Sequence, residues 1–485
     1  MNNWVKLLNR ECSLAFQVEV PYVNSSILPK MIGRLINNFW CESIAFGVYY
    51  KSFDLKGLAE AIKAKIISNP SFANENIADC YKLGDILVKS STINESIKLD
   101  QYSNAQLLKL LNKFRDAYLN FLPYLVYPHA IERYFMEIIS IALKNHLVVL
   151  NKENDFNYLY QLLTTPTIHE IDEQIDLLIV ANKVKKEGWN KKNQQLIEKV
   201  KDKYVWQSFW TINAKPLTKD YFKNAIQAYV DGNLNLDFEI KFIKQGQINR
   251  KSKLVNVLKE IKAPGLLKAY VEMLQGYMYL RTYRKNIISK AHYLHLPLLA
   301  EIGRRMGIGK DIKLISYEEM INYLKNGDMV SQTVIKERKE AWAVLAIDGK
   351  ISIISGKNSV ITTAKKYKIE DVQQQISQKM VKGQPACLGK TTGKVKIIKN
   401  IKEFNKIHQG DVLITPMTTP DFVPVLRKVS AIITDEGGVT CHAAIVSREF
   451  NIPCIVGTGN ATNVFKDGDL VKVDANKGIV TKLNI

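Results

Sequence analysis

Val429-Ser430-Ala431-Ile432-Ile433-Thr434-Asp435-Glu436-Gly437-Gly438-Val439-Thr440-Cys441-His442-Ala443-Ala444-Ile445-Val446-Ser447-Arg448-Glu449 is the stretch that decides the fold of the C-terminal part. Val429 to Ile433 is a short apolar run rich in β-branched residues, which reads as a buried strand. Gly437 and Gly438 then allow positive φ or close backbone approach. Good helix formers follow from Cys441 to Glu449. The order is strand, glycine turn, helix, and it puts His442 in the first helical turn. There, unpaired N–H groups and the positive end of the helix dipole favour an anion. A histidine near a helix start is commonly a solvated cap. A neutral imidazole in that position is also a competent nucleophile toward phosphorus, with the helix end ready to hold the phosphate it would carry.

The order of residues discriminates between these uses. Gly437-Gly438-Val439-Thr440-Cys441-His442-Ala443-Ala444-Ile445 followed by Ser447-Arg448-Glu449 resembles the phosphohistidine motif of the swivelling domain in phosphoenolpyruvate (PEP)-utilising enzymes. That group includes phosphoenolpyruvate synthase, pyruvate phosphate dikinase and rifampin phosphotransferase, and the motif is most similar to the synthase variant. Gly410 to Asp421 and Asn451 to Thr462 match in the same order. The resemblance implies that His442 is the phosphate carrier, with Gly437, Gly438, Thr440 and Arg448 supporting the phosphate site. Read from the residues, Thr440 either orients the ring or simply caps the helix. Arg448, near the far end, either pairs with a carboxylate or docks the domain, and Cys441 packs.

Around this motif the C-terminal region, from Gly383, reads as short strands alternating with two helices. The strands are Thr392 to Ile398, Val412 to Thr415, Cys454 to Val456, Leu470 to Val473 and Ile479 to Thr481, and a helix start lies at Thr419-Pro420-Asp421. Upstream, residues 1–330 read as mostly helical, with apolar residues at helical spacing in Ile62 to Ile67, Ala105 to Phe114, Ile171 to Val184 and Leu254 to Ile261. Pro123, Pro128, Pro166, Pro216 and Pro264 are expected to mark breaks between helices. Ala341 to Gly356 reads as a hairpin turning at Asp348-Gly349, and the polar Ala364 to Lys382 as a connector. The expected organisation is an α+β multidomain chain: a large, mostly helical region 1–330, a hairpin and linker 331–382, and a compact α/β phosphohistidine swivelling domain 383–485.

Two features of the helical region bear on an acceptor. Trp206 and Trp210 are spaced to share a helix face, by default as core. Their pattern resembles the middle domain of rifampin-phosphotransferase-like proteins, where aromatics line an acceptor pocket. Arg281-Thr282-Tyr283-Arg284, followed by Glu301 to Ile308, resembles the helical segment just before the phosphohistidine domain, and Arg281 and Arg284 are either phosphate-receiving cations or a solvated face. His292 and His295 lie three apart with no carboxylate at matching spacing, so no metal site is expected.

The chain has 485 residues, 46% hydrophobic and 24% charged, as in an ordinary globular protein of two or three domains. No apolar run reaches the ~18 residues of a membrane span, and Met1 to Lys6 does not open a signal peptide. Together these point to the cytoplasm. Six cysteines without CxxC spacing argue against zinc and a disulfide framework. The net charge of +21 comes mainly from dispersed lysines, which favours an anionic partner or phosphorylated substrate over nucleic acid. No Walker-type phosphate loop appears. Nothing resembles the family's nucleotide-binding ATP-grasp domain or its PEP-binding barrel. The expectation is therefore one subunit of a split phosphotransferase: His442 is charged by a separate ATP-grasp subunit that binds ATP and Mg2+, and delivers phosphate to a small-molecule acceptor. The alternative is a non-catalytic binding or regulatory protein that retains the domain.

Overall fold

The computed structural model describes residues 4–8, 13–41, 47–93, 98–166, 172–207, 209, 215–232, 235–369, 380–398, 401–418, 422–438 and 441–483. The chain divides into two compact units, one of Met1–Ile168, Val205–Leu217 and Asn249–Asp371, the other of His169–Tyr204, Thr218–Ile248 and Val372–Ile485. No described helix is long and apolar enough to cross a membrane.

In the first unit the 41-residue helix Gly265–Arg305 packs against Pro123–Leu150 and Phe72–Ser91. The apolar spacing read at Ile62 to Ile67 and Ala105 to Phe114 lies in the helices Ser52–Ser68 and Asn104–Phe121. The second of these starts with a capping box in which Ser103 and Gln106 satisfy each other's backbone N–H groups. Pro128 is a correction: it lies inside Pro123–Leu150 rather than between helices. Helix packing on a continuous apolar core, with Tyr124, Tyr127 and Ile131 buried around it, outweighs the one backbone hydrogen bond that proline cannot make.

The first unit also holds a five-stranded antiparallel sheet: β1 (Trp4–Leu8), β2 (Asn38–Cys41), β3 (Gly47–Lys51), β4 (Trp342–Ile347) and β5 (Lys350–Ser355), in the order β1-β3-β2-β4-β5. The expected hairpin is β4–β5. Its two-residue turn has positive φ at both Asp348 (49°) and Gly349 (81°), the backbone hand that matches strand twist. The expected organisation groups it with the linker in 331–382. β4 also pairs with β2, so the hairpin is built into the first unit's sheet. Most of the expected connector beyond it, residues 370–379, lies outside the described residues.

The second unit contains the helices Asp172–Glu187, Lys191–Tyr204 and Lys219–Asp231. It also contains an eight-stranded mixed sheet: β6 (Met380–Lys382), β7 (Gln384–Cys387), β8 (Lys390–Ile397), β9 (Val412–Thr415), β10 (Ala431–Thr434), β11 (Cys454–Val456), β12 (Leu470–Asp474) and β13 (Ile479–Lys482). Strands β8, β9, β10 and β11 are mutually parallel, and the flanking strands are antiparallel. β9, β10 and β11 are buried throughout, as parallel strands covered on both faces must be. Leu413, Ile432 and Cys454 face one apolar cluster that takes Ala443, Ala444 and Val446 of the helix His442–Phe450. Val412, Ile414, Ala431, Ile433 and Ile455 face the other, with Phe465, Val471 and Val473. This period-2 division gives the α/β architecture expected for the C-terminal part.

Candidate active site

The site forms where parallel strands β9, β10 and β11 end, the edge at which open α/β sheets expose loop backbone to ligands. Three loops are stitched there by backbone hydrogen bonds. Asp435 N–H donates to Thr415 O and Glu436 N–H to Pro416 O, joining the β10 and β9 loops. Thr458 N–H donates to Thr434 O and Gly459 N–H to Asp435 O, joining the β11 loop. The Asp435 carboxylate strengthens that second join. Its Oδ1 accepts from Thr458 Oγ1 at 3.0 Å and Thr462 N–H at 3.2 Å, and its Oδ2 accepts from the Thr462 hydroxyl. Burial raises the Asp435 pKa, and the hydrogen bonds from Thr462 and Thr458 partly offset this.

Gly437 is required by geometry. Its φ is +112°, and a Cβ there would sit 2.7 Å from Cys441 Sγ. The Gly437 carbonyl in turn approaches Gly457, where a Cβ would lie 2.8 Å from that oxygen. Gly438 closes the turn by accepting the Cys441 N–H at 2.9 Å. Val439 and Thr440 lie outside the described residues, so the orienting or capping role expected of Thr440 does too.

The helix then runs His442–Phe450, with Cys441 at the N-cap position giving no side-chain cap. His442 is the first helical residue, in the first turn where the sequence reading places it. The helix stops at Asn451, which adopts a left-handed φ of 54° and returns its N–H to Ser447 O. Helix formation here aims the first-turn N–H groups toward the imidazole end of the site.

The His442 ring is held through one nitrogen. Its Nδ1 lies 2.8 Å from Thr418 Oγ1, at the end of the β9 loop. The residue is partly exposed, yet its Nε2 is covered and has no hydrogen-bond partner among the described residues. Burial pushes its pKa down to about 4, so the imidazole is neutral at neutral pH. In the tautomer whose Nδ1–H donates to Thr418 Oγ1, the lone pair lies on Nε2. Buried nitrogens without partners are scarce in native structures, and such a nitrogen in a loop cluster invites a chemical explanation.

The other expected residues are placed as follows. Arg448 stands six residues beyond His442, and its Nε donates to Ala386 O on β7 at 2.8 Å. It ties the helix to a main-chain carbonyl, a structural contact where the sequence reading left open a carboxylate partner or a docking role. In the first unit, Arg281 Nη1 pairs with Glu132 at 2.8 Å and Arg284 is buried with Nη1 on Leu125 O at 2.7 Å. Neither belongs to a solvated helix face. Trp206 is buried and falls beyond the end of Lys191–Tyr204. Trp210 lies outside the described residues. His292 bonds Tyr118 Oη at 2.9 Å through Nε2, and His295 stacks on Phe114. Among the described residues no three His, Cys, Asp or Glu side chains come together to hold a metal.

Thr418 and Asp435 were not singled out from sequence. The available signal was positional: Asp435 lies just beyond the carboxyl end of β10, the strand that leads to His442, and Thr418 just beyond that of β9, its parallel neighbour.

Comparison with known proteins agrees with this geometry. Residues 407–478 match the family described as PEP-utilising enzyme, mobile domain. The C-terminal part of this chain is a PEP-utilising enzyme mobile domain. A probable phosphoenolpyruvate synthase of Archaeoglobus fulgidus is 43% identical over 35% of this chain and 22% of its own length. One from Methanothermobacter thermautotrophicus is 50% identical over 29% of this chain and 20% of its own. The chain thus spans about a fifth of these relatives. A solution structure of Enzyme I aligns at 17% identity over 65% of this chain and 79% of that one, with a TM-score of 0.17, too low to bear on fold or chemistry. Within the mobile domain, His442, Thr418 and the Asp435 tether all lie inside the matched residues.

Proposed function

We propose that this chain is the phosphohistidine-bearing component of a dikinase-type phosphotransferase similar in kind to phosphoenolpyruvate synthase. In this reading His442 receives a phosphoryl group from a separate nucleotide-binding subunit of ATP-grasp type, which holds ATP and Mg2+. It then delivers that group to a small-molecule acceptor, and the protein works in the cytoplasm. The observation that carries the reading is a neutral imidazole fixed through Nδ1 with Nε2 left unpartnered at a helix start.

The chemistry follows from those atoms. The Nε2 lone pair attacks phosphorus, and the P–O bond to the nucleotide breaks with its electrons leaving on oxygen. The phosphorylated ring keeps its Nδ1 proton on Thr418 Oγ1, which leaves it cationic and a good leaving group. In the second step an acceptor oxygen attacks phosphorus, the N–P bond breaks and the pair returns to Nε2. First-turn N–H groups of His442–Phe450 supply donors to the phosphoryl oxygens. Since Nε2 is covered, both steps require a movement that exposes it, and a swivelling domain provides one.

The test is reconstitution with a nucleotide-binding subunit of ATP-grasp type, ATP and Mg2+, followed by mass spectrometry under alkaline conditions. Phosphate is expected on His442 and absent from His442→Ala. An unmodified His442 beside a partner that is turning over ATP contradicts the reading.

A further inference from the structure

Three thiols gather under the helix that starts at His442. β7 is the edge strand of the eight-stranded sheet, and its one neighbour in the strand order is β11. In that antiparallel pairing Cys387 stands directly across from Cys454. Both side chains enter the same apolar cluster, against which Cys441 also packs, so they lie on one face of the sheet. Residues opposite each other on antiparallel strands have Cα atoms about 4.5–5.5 Å apart. A disulfide needs Cα atoms about 4.4–6.8 Å apart. Cys387 and Cys454 are therefore within bridging distance without any change of strand pairing. All five described cysteines are free thiols. Cys41, by contrast, faces Gly47 and Ala343 across its own sheet and has no thiol opposite.

The surroundings of the pair suit thiol chemistry. Arg448 Nε donates to the carbonyl of Ala386, the residue before Cys387, at 2.8 Å. The groups that act electrostatically on its guanidinium are the thiols of Cys454, Cys441 and Cys387. A nearby cation favours the thiolate, the form that reacts. Burial pushes the Cys387 and Cys454 thiols up, and Arg448 pulls each the other way. The two differ in access. Cys387 ends the edge strand at 9% exposure and is followed by Leu388 at 69%, whereas Cys454 is fully buried. An oxidant therefore reaches Cys387 first and leaves Cys454 as the second thiol.

We propose that Cys387 and Cys454 are a peroxide-sensitive modification site, closing into a reversible disulfide that staples β7 to β11 beneath the helix His442–Phe450. The Cys387 thiolate attacks one oxygen of hydrogen peroxide, the O–O bond breaks and hydroxide leaves, giving a sulfenic acid. The Cys454 thiolate then attacks that sulfur, the S–S bond forms and a second hydroxide leaves. The two thiol protons convert the hydroxides to water, and the two electrons lost by sulfur reduce the peroxide. The consequence falls on the helix that carries His442. β7 supplies the carbonyl that anchors Arg448, and an edge strand opens by losing a single ladder. The bridge closes that route and holds the anchor in place. The site is independent of the phosphohistidine chemistry.

The test treats the full, folded chain with hydrogen peroxide, blocks remaining thiols with iodoacetamide and maps unreduced peptides by mass spectrometry. A peptide pair joined through Cys387 and Cys454 is expected, with the loss of two hydrogens, and dithiothreitol should release it. Cys387→Ala and Cys454→Ala should each abolish the pair, and His442→Ala should leave it unchanged. Amide exchange in Gln384–Cys387 and His442–Phe450 should slow by roughly tenfold or more in the bridged chain. The proposal is overturned if no such pair forms in the wild-type chain, if it forms only in denaturant, or if Cys441 takes the place of either partner. A bridge that leaves exchange in both segments unchanged overturns the staple. A chain that bridges but never carries phosphate would sink the function proposed above and leave this site standing.

Discussion

Thr418 Oγ1 stands 2.8 Å from Nδ1 of His442, across a gap of 24 residues in sequence. This contact fixes the ring through Nδ1, and in the tautomer whose Nδ1–H donates to the hydroxyl the lone pair lies on Nε2. Thr418→Val removes the hydroxyl that Nδ1 bonds while keeping side-chain size. One hydrogen bond of about 1–1.5 kcal/mol corresponds to roughly a tenfold change in rate. Phosphorylation of His442 in the reconstituted system should slow by about that factor in Thr418→Val, and Thr418→Ser should restore most of it. Equal rates in Thr418→Val and wild type would show that the contact does not orient the ring.

A histidine with a pKa near 4 behaves differently in acid from one at the ordinary value of about 6.5. Between these two values the unfolded chain binds a proton that the folded chain refuses. The stability contributed by neutral His442 is therefore full above about pH 6.5 and is lost as pH falls toward 4, by at most about 3 kcal/mol. An NMR titration of the ring should give a midpoint well below 6. His442→Asn should flatten part of the stability loss between pH 6.5 and 4, measured against wild type by denaturant unfolding.

Gly437→Ala places a Cβ 2.7 Å from Cys441 Sγ at a φ of +112°. Strain of this kind costs about 1–3 kcal/mol, and it falls on the turn that delivers His442 to the helix start. The variant should lower the unfolding midpoint and slow phosphorylation together. Gly410→Ala is the comparison, because its φ is also positive (87°) but a Cβ there would meet open space. It should cost stability with little effect on transfer.

Asp435→Ala cuts the bonds from Thr458 and Thr462 that tie the β10 loop to the β11 loop. Hydrogen bonds to a charged group contribute about 1.5–3 kcal/mol. A loss in that range is expected in denaturant unfolding. Increased amide exchange should appear in both loops, and an effect confined to the β10 loop would contradict the tether.

The parts legible in sequence were local. Strand, glycine turn and helix around His442 follow from residue order over about twenty positions, and the structure starts the helix at His442 itself. The Asp348-Gly349 turn was equally local. What escaped depended on pairing at long range. β2 is four residues, Asn38–Cys41, buried on both faces and so without alternation to read, and its partner β4 lies some three hundred residues away. Thr418 escaped for a similar reason. Only the parallel register of Thr434 with Thr415 brings the β9 and β10 loops together, and no spacing rule reports a register. Trp206 falls outside the helix on which it was read, because that helix ends at Tyr204, and Trp210 lies outside the described residues.

The central claim is that Nε2 of His442 is the atom that carries phosphate. Phosphoramidate phosphorylates histidine without any protein partner, and 31P NMR distinguishes the two ring isomers. Treatment of the full chain should yield a phosphohistidine signal of the Nε2 isomer that is missing from His442→Ala. A signal from the Nδ1 isomer at His442, or phosphate on other histidines with His442 unmodified, would contradict the account.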